Sequence, residues 1–428
     1  MTYGDGLADL LLDDRQNAAL SWAFVGVLGI ATVERAVTEG DVRTAAFAAA
    51  LVLVAVVPPL AFRDPTVTLP WDLLGVACSP VLWKTFVGVP FRTEVVPYVS
   101  VAVIALMVAV ELHAFTAVRM DHTFAVVFVT LTTMAAAAVY NVLKWLVDVA
   151  LGAGLLLDGR SQHALNAVVM VEFAYATGAG MLAGVAFTYY FRRRLPSPGR
   201  RPSDRPRSHP ECADGHASLA ERLRLSATVQ RRLTRSMQGV LGAVLLYGLV
   251  TVTLPTIVNA TVALGLTFVP AILERDLELP MDPGLVLWIT AAVFLHSLGS
   301  AGLYGTVTHW DHLTHALSAS VVAATGYAFF RAVDLHSVDV YIPRQFMFAL
   351  ILIFVLAAGV AWELLEFAID QFAIVVGLPA VLAQHGLDDT ILDLVFNAAG
   401  AVVVATWGAV YLTDLSEALS NRLEEWSA

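Results

Sequence analysis

Lysine is almost absent from this chain. Lys84 and Lys144 are the only two, so 23 of the 25 basic residues are arginine. Charge of either sign is scarce, at 14% of 428 positions, against about 25% in an ordinary soluble protein. That shortage excludes a conventionally solvated surface. Two cysteines, Cys78 and Cys212, exclude a disulfide scaffold. The chain has no Gly-X-Y period and little long polar sequence, which excludes collagen and extensive disorder. No nucleic-acid partner is expected.

What is there is apolar: 58% of residues are hydrophobic and the mean hydropathy is +0.73. A soluble globule of this composition would expose large adhesive patches. The chain therefore reads as an all-α, polytopic transmembrane helical bundle whose first partner is the lipid bilayer. One crossing takes about 20 apolar residues. On that measure the candidate spans are 18–37, 44–62, 72–90, 95–117, 122–150, 165–191, 237–254, 256–273, 284–305, 312–332, 345–372 and 389–412, about twelve in all. The third is weakest, because Asp72 and Lys84 fall inside it. The seventh and eighth are separated mainly by Pro255. The stretch from Met1 to Asn17 lacks the basic start of a signal peptide and reads as a short cytoplasmic leader.

Residues 192–236 break the apolar pattern. This Pro/Ser-rich segment holds 12 of the 25 basic residues and four acidic ones. The positive-inside rule makes it cytoplasmic. With six spans on either side, both termini are then cytoplasmic, and the protein is a multi-pass protein of the cell membrane. Three segments follow: an N-terminal half, 1–191; a basic linker, 192–236; and a C-terminal half, 237–428.

The halves resemble each other. Val57-Pro58-Pro59-Leu60-Ala61-Phe62-Arg63-Asp64 recurs as Val269-Pro270-Ala271-Ile272-Leu273-Glu274-Arg275-Asp276, and Gly26-Val27-Leu28-Gly29 as Gly239-Val240-Leu241-Gly242. Tyr140 to Asp148 matches Trp362 to Asp370, and the same register carries Gly178 onto Gly400. Matches in one order suggest two parallel six-helix repeats, since an even span number makes both halves enter the membrane alike.

Ionisable side chains inside spans are costly and mark functional positions. The C-terminal half is crowded with them. His296 lies in the ninth span. His309, Asp311, His312 and His315 open the tenth, Glu363, Glu366 and Asp370 lie in the eleventh, and Asp388, Asp389, Asp393 and Asn397 open the twelfth. Helical spacing sets Asp311 with His315, Glu363 with Glu366 and Asp370, and Asp389 with Asp393 and Asn397, each on one face. The expected topology places all three stripes at one depth, in the outer part of the membrane, where they should face one another. Such a set suits a divalent cation: Mg²⁺, Ca²⁺ or Mn²⁺ on oxygens, Zn²⁺ or Mn²⁺ on mixed ligands. The metal-ligand candidates are Asp311, His315, Glu363, Glu366, Asp389, Asp393 and Asn397. Glu363, Glu366, His315 and Asp393 are the candidates for catalysis. Simpler roles compete. Asp311, His312, Asp388 and Asp389 stand where helix N-termini are capped, and His296 could be a packing histidine. At the matched N-terminal positions Glu363 becomes Asn141, Glu366 becomes Lys144, Asp389 becomes Ala167 and Asp393 becomes Val171, so the first half reads as a degenerate repeat.

The order His296-Ser297-x-Gly299, Asp311-x-x-x-His315, Glu363-x-x-Glu366, Asp389-x-x-x-Asp393-x-x-x-Asn397-x-x-Gly400 resembles the YjdF-like family of polytopic membrane proteins over residues 280–412. More distantly it is similar to the VanZ-like family. The first resemblance implies a membrane fold and no particular reaction; the second implies an association with lipoglycopeptide resistance.

Three functions stay open. One is a site acting on or binding a lipid or lipid-linked head group with a divalent cation. Another is a proton- or cation-coupled transporter. The third is a structural membrane protein without catalysis. The net charge of -11 divides into +8 on the linker and -19 elsewhere. Arginine in place of lysine, together with acidic loops, suggests a salt-loving source.

Overall fold

The computed structural model describes residues 15–39, 42–86, 96–194, 226–378 and 386–427. The expected leader before residue 15 and linker residues 195–225 lie outside the described residues. Regular structure among the described residues is helical. One isolated antiparallel bridge joins Arg119 and Tyr341, which exchange two N–H···O bonds of 3.0 Å.

The helices are α1 (Arg15–Glu34), α2 (Val42–Phe62), α3 (Trp71–Phe86), α4 (Val96–Phe115), α5 (His122–Leu151) and α6 (Gln162–Arg194). Helix α7 (Ala227–Thr251) takes up the last part of the expected linker, and α8 (Leu254–Leu266), α9 (Val269–Asp276), α10 (Pro283–Leu298), α11 (Trp310–His336), α12 (Arg344–Val375), α13 (Leu387–Tyr411) and α14 (Thr413–Ser427) follow.

Ten stretches among the described residues are long and apolar enough to cross a membrane. They include both short spans expected around Pro255. There the chain leaves α7 through Val252, in the left-handed region at φ 54°, and Pro255 sits in the first turn of α8. Proline is tolerated there because its missing N–H would be unsatisfied anyway. The second and third expected spans fall on α2 and α3. Helix α2 has 21 residues and carries an apolar stretch over Phe47–Phe62. Helix α3 is described over 16 residues, Trp71–Phe86. The rest of that expected span, 87–90, lies outside the described residues.

Large apolar side chains stay exposed along the spans, among them Leu182 at 72%, Val250 at 75% and Val375 at 83%. Water would penalise them, and hydrocarbon does not.

The chain forms two compact units. One gathers the described residues up to Ala137, those from Val171 to the end of α6, and Asp339–Pro343. The other gathers Ala138–Met170, the described residues from Ser226 to Val338, and Arg344 onward. In this second unit α11 packs on α12, α13 and α14. A side chain at Gly400 would put its Cβ 2.1 Å from the Ala316 carbonyl oxygen, so glycine is what lets α13 meet α11 backbone to backbone. Trp288 donates to Ser320 Oγ at 3.0 Å and Trp310 to the Leu295 carbonyl at 3.0 Å, tying α10 to α11. Helix α14, absent from the expected twelve spans, buries Ser416 and Ser420. Its Arg422 reaches the Leu277 carbonyl at 2.8 Å.

Candidate functional site

Three helices of the second unit bring their polar stripes together. Asp311 stands in the first turn of α11, with His315 one turn later. Asp393 lies in the second turn of α13. His315 Nε2 is 3.5 Å from Asp311 Oδ1 and 3.6 Å from Asp393 Oδ1. These three residues each offer a ligand atom, and all of those atoms lie within 4.8 Å of one another.

Glu363 of α12 adjoins them. It is 1% exposed, and its Oε2 accepts a 2.9 Å hydrogen bond from Thr390 of α13. Glu366 is half-buried, in electrostatic range of Glu363 and Asp389 and beside the Trp362 indole. Asn397 is buried one turn beyond Asp393, against His315. Asp370 is buried a turn beyond Glu366. Asp393 is 3% exposed, and its Oδ1 has no hydrogen-bond partner. A buried polar atom left so costs about 1–3 kcal/mol, more when it is charged, and such an atom calls for an ion or water beside it.

Other candidates stand apart from this group. His312 lies flat on the Phe396 ring, with centroids 4.3 Å apart and an interplanar angle of 8°. His309 precedes α11 in the left-handed region at φ 66° and neighbours His312 at 5.2 Å. Asp388, expected as a helix cap, instead accepts hydrogen bonds from Trp145 Nε1 at 2.6 Å and Gln162 Nε2 at 2.9 Å, and its N–H donates to Gln162 Oε1 at 3.0 Å. It is a tertiary tie to α5 and α6.

His296 has a specific hydrogen-bond partner in Tyr304. After α10 the chain makes a π turn, Gly299–Leu303, with Gly302 at φ 137°. The turn swings Tyr304 back so that its hydroxyl lies 2.7 Å from His296 Nδ1 and 3.3 Å from Thr314 Oγ1. A Cβ on Gly299 would stand 2.3 Å from the Tyr304 ring. That close approach explains the glycine in His296-Ser297-x-Gly299. Tyr304, Thr314 and Thr390 were not anticipated. The glycine density of 299–305 signals a bend but not what it returns to. Thr390 is hidden among better acceptors.

With the geometry in place, relatives can be compared. Residues 233–414 match the family described as "Predicted membrane protein (DUF2238)". An uncharacterized protein of Thermotoga maritima is 30% identical over 142 residues, covering 32% of this chain and 68% of the relative. The chain belongs to the DUF2238 family. This is the YjdF-like family its motifs resemble; the likeness to VanZ-like proteins gains no support. The DUF2238 match encloses every residue of the cluster, from His296 to Asn397, and stops at the start of α14. A second family, described as "Domain of unknown function (DUF8268)", matches residues 5–68 and contains none of the cluster. No solved structure matches.

Proposed function

We propose that the cluster is a divalent-cation site within the membrane and that it binds or acts on a lipid or lipid-linked head group through that cation. The observation that carries this reading is the convergence of Asp311, His315 and Asp393 within 4.8 Å. Two carboxylates and an imidazole suit Zn²⁺ or Mn²⁺, and the oxygens of Glu363, Asp389 and Asn397 nearby would extend the choice to Mg²⁺ or Ca²⁺. Charge supports the same reading. No lysine or arginine occurs from 276 to 330 or from 345 to 421, the stretches that carry the cluster. A phosphate-bearing head group would therefore need the cation as its positive partner. Where chemistry follows, Glu363 and Glu366 are the candidate bases and His315 the acid.

Metal content decides the matter. Purified wild type should bind one divalent cation per chain, while Asp393→Asn and Glu363→Gln should lose at least tenfold in affinity. Equal metal in all three sinks the reading. Mutants that only melt earlier point to a structural role, and cation flux in vesicles that Asp393→Asn abolishes points to transport.

The orientation belongs to the same proposal. The basic linker sets both termini in the cytoplasm and opens the cluster outward. The halves 1–191 and 237–428 are parallel repeats of which the first lost the polar set. Shared burial supports the kinship: Asn141 and Asp148 are buried at the positions matching buried Glu363 and Asp370. Accessibility labelling of single cysteines in the linker and at residue 309 tests the orientation; labelling of both from one side overturns it.

A further inference from the structure

His296 and Tyr304 sit against the cluster yet supply none of its three converging ligands, and hydrogen-bond accounting assigns them a role. The Thr314 hydroxyl, on a side chain fully shielded from solvent, gives its single proton to the Asp311 carbonyl at 2.8 Å. At its 3.3 Å contact with Tyr304 it can therefore only accept. Tyr304 likewise has one proton. If it goes to His296 Nδ1, the contact with Thr314 is no hydrogen bond. If His296 carries its proton on Nδ1, every group donates once: Nδ1–H to Tyr304 at 2.7 Å, Tyr304 to Thr314 at 3.3 Å, and Thr314 to Asp311. Only that direction satisfies all three contacts.

Neutral imidazole then presents its lone pair on Nε2. His296 lies in electrostatic range of His315 and Asp311, and the Tyr304 phenol in range of Asp311, Asp393 and Glu366. We infer that Tyr304 holds His296 in the Nδ1–H tautomer, making Nε2 a hydrogen-bond acceptor for the ligand of the proposed cation site. The inference rests on the cation-site reading and deepens it. The ligand presents an O–H or N–H beside the oxygen that meets the cation, as a hydroxyl- or amine-bearing head group does. Tyr304 is a positioning residue that acts through His296, just as the partner of a ligand imidazole commonly sets its tautomer. The close Gly299 contact and the φ of Gly302 are what bring Tyr304 to that place.

The test is nitrogen NMR on the full chain in nanodiscs, labelled with ¹⁵N-histidine and with His296 assigned by its loss in His296→Gln. The wild type should show the Nδ1–H tautomer. Tyr304→Phe removes the acceptor, and Thr314→Val leaves Tyr304 only Nδ1 to donate to, so each should convert more than half of His296 to Nε2–H. A wild type already in the Nε2–H form overturns the inference, and so does a tautomer that neither variant moves. Titration with zinc, and then with glycerol phosphate in the presence of zinc, separates this from the reading beneath it. A shift at His315 on adding zinc, followed by a shift at His296 Nε2 on adding glycerol phosphate, supports both. A shift at His315 with zinc while His296 Nε2 stays unmoved by glycerol phosphate overturns the role of His296 and leaves the cation site standing. Shifts at neither overturn both.

Discussion

Gly400 and Asp393, two turns apart on α13, do opposite things for one contact: the first lets α11 approach and the second uses the approach. A methyl at residue 400 would meet the Ala316 carbonyl at 2.1 Å. Overpacking of this kind costs about 1–3 kcal/mol. Gly400→Ala should therefore lower the melting temperature in detergent and weaken cation binding together, because His315 and Asp393 sit on the two helices it would separate. Unchanged melting would contradict the backbone contact. Neighbouring residues of one type divide their work in a way that sequence does not reveal. Asp388 and Asp393 are both acidic and both open α13, but one ties α5 and α6 at the surface while the other is buried at the cluster. Spacing along the helix put Asp389, Asp393 and Asn397 on one face. Which partners that face would meet depended on helices far away in the chain.

At the scale of elements, similar sequence takes different local form. Helix α2 runs through Pro58 and Pro59 to Phe62. In the matched stretch of the other half, α8 stops at Leu266 and α9 starts afresh at Val269. The turn after α2 is held by Asp64, whose Oδ1 accepts from Thr66 N at 2.9 Å and Thr66 Oγ1 at 2.7 Å. Those bonds, the backbone one foremost, keep the Asp64 carboxyl below its ordinary value. A carboxylate favoured this way steadies its turn above its unfolded pKa, and the effect fades as pH falls through the lowered folded value. The protection factor of the Thr66 amide, its exchange rate relative to an unstructured amide at the same pH, should thus fall below about pH 4, and in Asp64→Asn that dependence should vanish. A protection factor indifferent to pH in the wild type would refute the tie. At the matched position Asp276 pairs with Arg275 at 2.6 Å instead, so the aspartate recurs while its partner does not.

For the molecule as a whole, the second unit is assembled from segments distant in the chain. The tips of α5 and α6 join it, and Asp388 holds Trp145 and Gln162 across more than 220 positions. Loss of a charge-assisted hydrogen bond near the surface costs about 1 kcal/mol. Asp388→Ala should lower thermal stability by about that much and leave cation affinity within about twofold, in contrast to Asp393→Asn. A tenfold loss of affinity in Asp388→Ala would instead put Asp388 in the site.

The order of apolar residues determined that this is an all-helical membrane protein, because runs of about 20 residues are what a helix needs to cross a bilayer. It also showed where the polar groups concentrate, since intramembrane charge is too costly to scatter. Breaks within a span were less legible: in the ninth expected span, 284–305, the α-helix ends at Leu298 and the chain turns through Gly299–Leu303. Only the tertiary structure decided which stripe members meet. Asp311, His315 and Asp393 converge, His312 turns onto Phe396, and Tyr304 comes back to His296. Periodicity specifies the face of a helix, but the closest approach between helices is set by where a glycine removes a side chain and where a turn reverses the backbone. Those are properties of two surfaces at once, and no single stretch of sequence contains both.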